Sequence, residues 1–488
     1  MKLAQIRKEH GSGIFGGMLW SFGERITAQF VSMLVSILLA RILAPEYYGI
    51  ISIVTVFITL LNVFVSGGFG SALVQKKNAD GIDFDTTFIL SLGLSVILYG
   101  FLFLAAPYIE NFYKMQNLSN VIRVMGLRLI IASVNNIQQA YIRRHMAFKR
   151  FFWATLFGTG VSGVVGIFLA IKGFGVWALV FQYLTNVSID TAVLFIIGGW
   201  KPRFEFSLER AKTIWKFGWK VLATELVYTL SADVRTLLIG KVFGSSDLAY
   251  FDQGKKYPTF FVNNINSSIQ QVMLPALSKK QGELDELLRT LRRSICTAMY
   301  LLVPLLVGFG VIADTFVPIV LSEKWIPCII YIRIFCLVYI TRPFEAMCHQ
   351  ALLAIGKSGT VLLCMISIDG TGLILAIYSA LILKSVLAIA LFSLLTTLIS
   401  ITVFMYCSNK YIGYKFSYQI QDIAPNIILS AIMGFVVYFI GLINLNQVAI
   451  LIIQVIAGIA IYTVLSLAIK PVGYINITGI FREYILRK

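Results

Sequence analysis

Residues 448–469 read VAILIIQVIAGIAIYTVLSLAI, a run of 22 residues without one charged side chain. At 1.5 Å of rise per residue, a helix of about 20 apolar residues crosses the roughly 30 Å of hydrocarbon in a lipid bilayer. The run therefore predicts a membrane-spanning helix, and it is the last of fourteen such segments in the chain.

The same pattern recurs from one end of the 488-residue chain to the other. Hydrophobic residues make up 58% of the sequence and charged residues only 13%, whereas soluble domains carry about 25% charged residues. A soluble core cannot hide this much apolar surface, but lipid can cover it. The predicted fold class is an all-α, polytopic membrane protein. The predicted spans are approximately 14–43, 48–72, 86–110, 119–145, 151–171, 174–199, 213–240, 248–276, 288–313, 326–354, 358–383, 386–409, 424–443 and 448–469.

The positive charge of the chain is distributed between loops rather than gathered in one patch. The 41 Lys and Arg against 23 Asp and Glu give a net charge of +18, yet no nucleic-acid motif accompanies them. Assigned to the loops between the predicted spans, 26 basic residues fall on one side and 7 on the other. Because cytoplasmic loops are enriched in Lys and Arg, this asymmetry predicts that both termini are cytoplasmic. An even number of spans, such as fourteen, satisfies that orientation.

A charged linker around 200–213 divides the chain into two predicted lobes of six helices. Short sequence similarities at offsets of about 200 residues indicate that the lobes are parallel repeats, related by an axis along the membrane normal. We expect an N-lobe over 1–200 and a C-lobe over 201–412. Residues 413–488 form two additional transmembrane helices and a cytoplasmic tail.

Charged residues occur inside the predicted spans, where each costs about 2.5–3.5 kcal/mol at the bilayer centre. The basic ones are Arg25, Arg128, Lys220, Arg235, Lys255, Lys256, Arg333 and Arg342, and the acidic ones include Glu24, Asp190, Glu225, Asp233, Glu345 and Asp369. Polar residues recur at helical spacing on three spans and form one stripe on each helix. The stripes include Arg25 and Gln29 on the first span, Arg128, Asn135, Gln139 and Arg143 on the fourth, and Glu225 and Asp233 on the seventh. Such stripes favour a hydrated central cavity. The alternative is that they hydrogen bond neighbouring helices together, and the Arg342–Glu345 spacing also fits a simple ion pair.

The cationic stripes of the first lobe indicate an anionic cargo, because guanidinium groups pair well with phosphate. We expect Arg25 and Arg128 to bind the headgroup and Arg143 to lie at the cytoplasmic mouth. Amides on the same and other spans are expected to hydrogen bond sugar hydroxyls. The complete set of predicted cavity residues is Arg25, Gln29, Arg128, Asn135, Gln139, Arg143, Asn263, Gln270 and Arg342. The acidic stripe on the seventh span makes Glu225 and Asp233 the candidates for a coupling-ion site.

The sequence contains no feature that predicts an enzyme or a metal site. It has no phosphate-binding loop of an ATPase, and its three histidines and six cysteines lack metal-ligand spacing. No large extramembrane segment is present to house a glycosyltransferase or polymerase site. We therefore expect no cofactor, and a proton or Na⁺ gradient to supply the energy.

Seven stretches of the sequence carry a family resemblance: LARILAPEYYG at 39–49, SGGFGSALVQ at 66–75, LIGK at 238–241, LAYF at 248–251, LPALS at 274–278, EKWIP at 323–327 and LLAIG at 352–356. In these stretches the chain resembles the polysaccharide-transporter branch of the multidrug/oligosaccharidyl-lipid/polysaccharide (MOP) exporter superfamily. The resemblance implies two lobes in a V shape, alternating access and two extra C-terminal helices. The chain departs from the family pattern at Phe251–Lys255. Relatives often carry an arginine after a tyrosine pair there, whereas this chain reads FDQGK.

The same resemblance implies the cargo, an oligosaccharide linked to undecaprenyl pyrophosphate. The expected function is a flippase of the bacterial inner membrane for O-antigen, capsule or exopolysaccharide synthesis. Expected partners are this lipid-linked oligosaccharide, the bilayer, and a polysaccharide polymerase or export machinery. Two alternatives lie within the superfamily: a peptidoglycan-precursor flippase and a cation-coupled multidrug antiporter. A third is an enzyme, a membrane polysaccharide polymerase.

Overall fold

The structure is a computed structural model that describes residues 29–66, 69–70, 73, 76, 79–145, 149–278, 283–443 and 445–486. Every regular element in these residues is helical. Arg25 and the side chain of Gln270, two predicted cavity residues, lie outside the described part of the chain. The predicted all-α, polytopic fold class is confirmed.

The chain separates into two compact units, Met1–Ala249 and Tyr250–Lys488. The helices up to the boundary are α1 (Gln29–Ile42), α2 (Pro45–Ser66), α3 (Gly81–Tyr113), α4 (Leu118–Arg144), α5 (Lys149–Ile171), α6 (Val176–Ile197), α7 (Leu208–Val242) and α8 (Ser245–Ser278), which crosses it. The remaining helices are α9 (Leu284–Val320), α10 (Ile329–Tyr339), α11 (Arg342–Ala354), α12 (Ser358–Tyr378), α13 (Val386–Ile412), α14 (Phe416–Gly441), α15 (Gln447–Ile469) and α16 (Val472–Leu486).

In the first unit, α6 packs on α5, α4 and α2, and α3 packs on α4. Glycines let these helices approach closely. A Cβ added at Gly158 on α5 would lie 3.1 Å from the backbone oxygen of Asn186 and 3.3 Å from the Cβ of Asp190, both on α6. This close approach places α5 directly against α6 at Asp190.

In the second unit, the 37-residue helix α9 is the central element. It packs on α10, α11, α14, α15 and α16. Its buried face includes Leu291, Ile295 and Leu302. Further along the chain, the large side chains of Trp325 and Phe344 are also fully buried. The two C-terminal spans α14 and α15 are therefore attached to this unit through α9.

Eleven helices in the described residues are long and apolar enough to span a membrane, so the predicted count of fourteen is not confirmed. Helix α1 is described only from Gln29, and 14 residues are too few for the criterion. Helices α7 and α8 have 35 and 34 residues but are more polar, as Glu225, Asp233 and Asn263 illustrate. The segment predicted as one span over 326–354 is one of the eleven, as Glu323–Ala354, although its helix is interrupted between Tyr339 and Arg342.

Large apolar side chains cover the outside of the helices rather than only their contacts. Ile459 on α15 is 66% exposed and Phe435 on α14 is 65% exposed. Monomeric soluble proteins rarely expose contiguous apolar surfaces of this kind, because water solvates them poorly. With the eleven apolar helices, this shows a multi-pass membrane protein whose outer surface contacts lipid.

Candidate functional site

Helix α4 carries the polar stripe that the spacing predicts. It is the least apolar of the eleven candidate spans. Residues four apart lie on the same face of an α-helix, so Asn135, Gln139 and Arg143 project from one side. Asn135 is buried, Gln139 is half-buried and Arg143 is exposed at the end of the helix. The stripe thus runs from the protein interior to its surface.

These three side chains form a continuous hydrogen-bonded chain. The Nη2 of Arg143 donates to Oε1 of Gln139 at 2.8 Å. The Nε2 of Gln139 donates to Oδ1 of Asn135 at 2.6 Å, and Nδ2 of Asn135 donates to Oδ2 of Asp190 on α6 at 2.7 Å. The exposed guanidinium is therefore connected through two neutral amides to a half-buried carboxyl group.

Helix α6 supplies a second acceptor beside that carboxyl group. The Nδ2 of Asn135 also donates to Oγ1 of Thr191 at 3.0 Å, and this hydroxyl donates to the backbone oxygen of Val187 at 2.6 Å. Both hydrogens of the buried amide are thus used. A buried amide with all its donors satisfied has one preferred orientation, because leaving a donor unpaired costs about 1–3 kcal/mol.

Arg128 lies two helical turns away from Asn135 on α4. Its guanidinium carbon is 5.8 Å from the ring centre of Tyr183 on α6, within the range of a cation–π contact. A cation–π contact involves the charge of the guanidinium group and the face of the ring, and does not by itself use an N–H donor on an oxygen acceptor. The helix pair α4–α6 therefore holds two arginines, Arg128 and Arg143, with the amides between them.

The other predicted site residues of the first unit lie on helices α1 and α7. Gln29 on α1 and Glu225 on α7 are exposed, and Asp233 on α7 is half-buried. Their predicted roles as cavity and coupling-ion residues stay predictions. In the second unit Asn263 on α8 is exposed, and its role also stays a prediction.

Arg342 is the first residue of α11, directly after the interruption that follows α10. Its Nη1 lies 3.5 Å from Oε2 of Glu345, so the ion pair that the spacing allowed is present. Glu345 is buried and also accepts from Oγ1 of Thr341 at 2.6 Å and Oγ of Ser400 on α13 at 2.9 Å. The carboxylate thus holds the first turn of α11 against α13. The Arg342 side chain is 51% exposed and accessible to a ligand.

Two side-chain partnerships, one in each unit, were missed by reasoning from the sequence. Asp190 was recognised as an acid within an apolar span, but nothing in the sequence connected it with Asn135, 55 positions earlier. Arg292 was one of the 26 basic residues counted on the cytoplasmic side, although it lies inside the predicted span 288–313, and it forms an ion pair with Asp422 on α14. Among the residues that the structure describes, no group of three or more His, Cys, Asp or Glu is placed to hold a metal ion.

The family of the chain follows from a comparison of its sequence with known families. A model of the family described as polysaccharide biosynthesis protein matches residues 38–330, more than half of the chain. The chain belongs to this family. The resemblance to the polysaccharide-transporter branch of the MOP superfamily is thereby confirmed.

Relatives of this family member are named for the biosynthesis of particular polymers. Teichuronic acid biosynthesis protein TuaB of Bacillus subtilis is 26% identical, over 77% of this chain and 78% of that protein. Lipopolysaccharide biosynthesis protein WzxC of Escherichia coli is 21% identical, over 67% of each chain. Succinoglycan biosynthesis transport protein ExoT of Rhizobium meliloti is 21% identical, over 59% of this chain and 58% of that protein.

Solved structures show the same fold in transporters. The lipid II flippase MurJ, in an inward closed conformation, matches with a TM-score of 0.76 at 15% identity, over 92% of this chain and 98% of that chain. A multidrug resistance MATE family transporter of the MOP superfamily, in an inward-facing conformation, matches with a TM-score of 0.61 at 18% identity, over 80% of this chain and 96% of that chain. This family member thus has the fold of MOP transporters.

Proposed function

We propose that this protein is a flippase that moves oligosaccharide repeat units linked to undecaprenyl pyrophosphate across the bacterial inner membrane. The product is a surface polysaccharide, and transport proceeds by alternating access of two lobes. The observation that carries the proposal is the Arg128–Arg143 stripe of α4, a row of cationic and amide groups inside a membrane protein of the polysaccharide biosynthesis family.

The stripe suits an anionic, hydroxyl-rich headgroup for physical reasons. A guanidinium group offers a planar fork of donors that matches phosphate oxygens. Moving phosphate charge or unpaired sugar hydroxyls into hydrocarbon costs several kcal/mol for each group, so a transport path must supply partners for both. Arg128 and Arg143 supply the charge, and Gln139 and Asn135 supply the amides, while the polyprenyl chain stays in lipid.

The orientation and the energy source belong to the same proposal. The excess of basic residues in alternate loops supports cytoplasmic termini. With the cytoplasmic end of α4 at Arg143, the exposed guanidinium meets the headgroup first. The membrane potential or an ion gradient resets the cycle, since moving one elementary charge across 100 mV is worth about 2.3 kcal/mol.

The names of the relatives favour a surface polysaccharide over the other cargoes. TuaB, WzxC and ExoT are named for teichuronic acid, lipopolysaccharide and succinoglycan biosynthesis, three extracellular polymers. The structural matches to MurJ and MATE transporters, at 15% and 18% identity, concern the fold and do not decide the cargo.

The experiment is complementation of a bacterium in which the gene for this chain is deleted. Wild type restores the surface polymer, whereas Arg128→Gln and Arg143→Gln lower it and leave lipid-linked repeat units in the inner leaflet. The matched control is Arg123→Gln, because Arg123 lies on α4 about 200° around the helix from Arg143 and contacts the backbone oxygen of Phe103.

The alternatives give different outcomes in the same strains. Rescue of a strain depleted of its peptidoglycan-precursor flippase points to that cargo, and raised drug resistance points to a multidrug antiporter. Glycosyl transfer by the purified protein identifies a polymerase. Full polymer export by both stable arginine variants contradicts the role assigned to the stripe.

A further inference from the structure

Asp190 is an acid in a place where acids are costly. It lies in α6 within a span that carries no other charged residue. It is half-buried, and α4, α5 and α2 all pack against its helix. Gly158 brings α5 within van der Waals distance of the Asp190 Cβ. A carboxylate packed between helices in this way needs a hydrogen-bond donor. Among the described residues, the Nδ2 of Asn135 donates to the Oδ2 of Asp190 at 2.7 Å.

The two amides of the chain are oriented in the same direction. Each turns its oxygen toward Arg143 and its NH₂ group toward Asp190. This order places the positive end of the chain at the guanidinium and the negative end at the carboxylate. Aligned hydrogen bonds of this kind polarise one another, so the state of one end affects the strength of the other.

Protonation of Asp190 changes the chain at its inner end. A charge-assisted hydrogen bond is roughly twice as strong as one between neutral groups, so neutral Asp190 holds Asn135 less firmly. The loss reduces the polarisation of Gln139 and loosens its bond to Arg143. Conversely, an anion that draws Arg143 away from Gln139 removes the charge that stabilises the carboxylate through the amides.

The other ionisable groups on the packed helices lie further from Asp190 along each helix. On α6 itself Tyr183 lies two turns away and contacts Arg128 of α4. On α5, Arg150 donates to the backbone oxygen of Gly198, beyond the end of α6. On α2 the ionisable side chains Glu46, Tyr47 and Tyr48 occupy the first turn, and a Cβ at Gly175, before the start of α6, would meet Tyr47 at 3.0 Å.

We infer that Asp190 is a proton-binding site, and that the Asn135–Gln139 amides couple its protonation to the binding of a phosphate headgroup at Arg143. The inference rests on the proposed function, because that function places the headgroup at Arg143. Coupling of this kind is reciprocal: a proton on Asp190 raises the affinity for the headgroup, and the headgroup raises the affinity for the proton. The site differs from Glu225 and Asp233, the acids that the sequence indicated.

The first test measures binding of farnesyl pyrophosphate, a short polyprenyl pyrophosphate, to the purified full-length protein in weakly acidic and weakly alkaline buffer. Each value is compared with Asp190→Asn at the same pH, so that titration of the ligand itself cancels. We expect the affinity of wild type for farnesyl pyrophosphate, divided by that of Asp190→Asn, to be lower in the alkaline buffer than in the acidic one. The expected decrease in this ratio is about 5-fold or more, because coupling between two sites is typically at least that large. Equal ratios at both pH values overturn the inference.

Further variants separate the amide chain from a general effect on folding. Gln139→Leu interrupts the chain at a half-buried position and should abolish the pH-dependent difference, whereas Asp369→Asn, an exposed acid on α12, should keep it. Replacing Na⁺ by K⁺ in both buffers distinguishes binding of Na⁺ from binding of a proton. A pH dependence that appears only with Na⁺ present overturns the proton as the ligand.

The second test does not depend on cargo binding. Infrared difference spectra between the two buffers should show the carbonyl stretch of a protonated carboxyl group in wild type and in Asp369→Asn, and lose that band in Asp190→Asn. A spectrum unchanged in folded Asp190→Asn overturns the inference, even if export is normal. Failure of wild type to bind the pyrophosphate at either pH counts against the proposed function instead, and the infrared result still decides the proton site.

Discussion

The α4–α6 network of the first unit and the α9–α14 ion pair of the second unit place opposite charges together in two different ways. In the second unit Arg292 contacts Asp422 directly, with Nε to Oδ2 at 2.7 Å and Nη2 to Oδ1 at 2.9 Å. The hydroxyl of Tyr414 donates to the same Oδ2 at 2.7 Å, and the Arg292 guanidinium lies 4.5 Å from the Tyr418 ring centre. In the first unit two amides separate Arg143 from Asp190.

The difference distinguishes charges that stabilise the fold from charges that are able to bind a ligand. A planar fork on a buried carboxylate satisfies both partners and fixes two helices together. Burial, together with the Asp422 carboxylate, raises the pKa of Tyr414, so this hydroxyl keeps its proton and remains a donor. The amide chain leaves Arg143 exposed, with donors that an anion can take. We therefore assign stability to the direct pair and transport to the chain.

The largest expected effect comes from removing the acid of the direct pair. Asp422→Ala leaves Arg292 without its partner and should lower the free energy of unfolding by about 3 kcal/mol, the usual cost of breaking a buried pair. Thermal unfolding in detergent measures it, with Asp369→Ala as the exposed control. An unchanged melting temperature in Asp422→Ala contradicts a structural role for the pair.

A smaller loss of stability is expected within the amide chain. Asn135→Leu removes the donor to Asp190 and Thr191 and should cost about 2 kcal/mol, because buried polar groups are left unpaired. The accompanying Asn135→Leu, Asp190→Leu double variant should recover part of this loss, since it removes the unpaired carboxyl group as well. No recovery in the double variant means that the two side chains do not act as a pair.

Export rather than stability should change at the exposed end of the chain. Arg143→Gln should lower polymer export about 10-fold, equivalent to about 1.4 kcal/mol, with an unchanged melting temperature. Arg143→Lys should fall between wild type and Arg143→Gln, because an ammonium group keeps the charge but lacks the planar fork. Normal export with reduced stability would reverse the assignment of the two networks.

The smallest effect is expected at a surface pair outside the spans. The Arg210 guanidinium, by hydrogen bonding Asp80, holds the pKa of that carboxyl group below its ordinary value of 3.8. A depressed pKa stabilises the folded state above the ordinary value, and this contribution is lost as the pH falls through the lowered one. Arg210→Gln should therefore lower the melting temperature slightly at neutral pH and not at all in strong acid. The exposed neighbour Lys212→Gln is the control, and added salt should shrink the difference.

Much of the fold was predictable because apolar runs depend on local sequence. Helices are present over the predicted spans within the described residues, and the α4 stripe follows from the spacing of Asn135, Gln139 and Arg143. The break at Tyr339–Arg342 was not predicted, although the sequence marks it locally: Pro343 lies in the first turn of α11, and a proline has no backbone N–H to continue the preceding helix.

The partners within the site were less predictable. Asp190 and Asn135 meet only because α4 and α6 pack together, which periodicity within one helix does not reveal. Arg292 was counted with the loop charges although it lies inside the predicted span 288–313, and its partner Asp422 is 130 positions away, where only the packing of α14 on α9 brings the two together. Local patterns identified polar faces, and packing decided their partners.

The most direct test of the account is translocation by the purified protein in proteoliposomes. A fluorescent oligosaccharide linked to a polyprenyl pyrophosphate is placed in one leaflet, and its arrival in the other is measured with an impermeant quencher. We predict that wild type and Arg123→Gln move it faster than empty liposomes, and that Arg143→Gln moves it about 10-fold more slowly than wild type. Wild-type rates equal to those of empty liposomes, or undiminished transport by Arg143→Gln, would contradict the account.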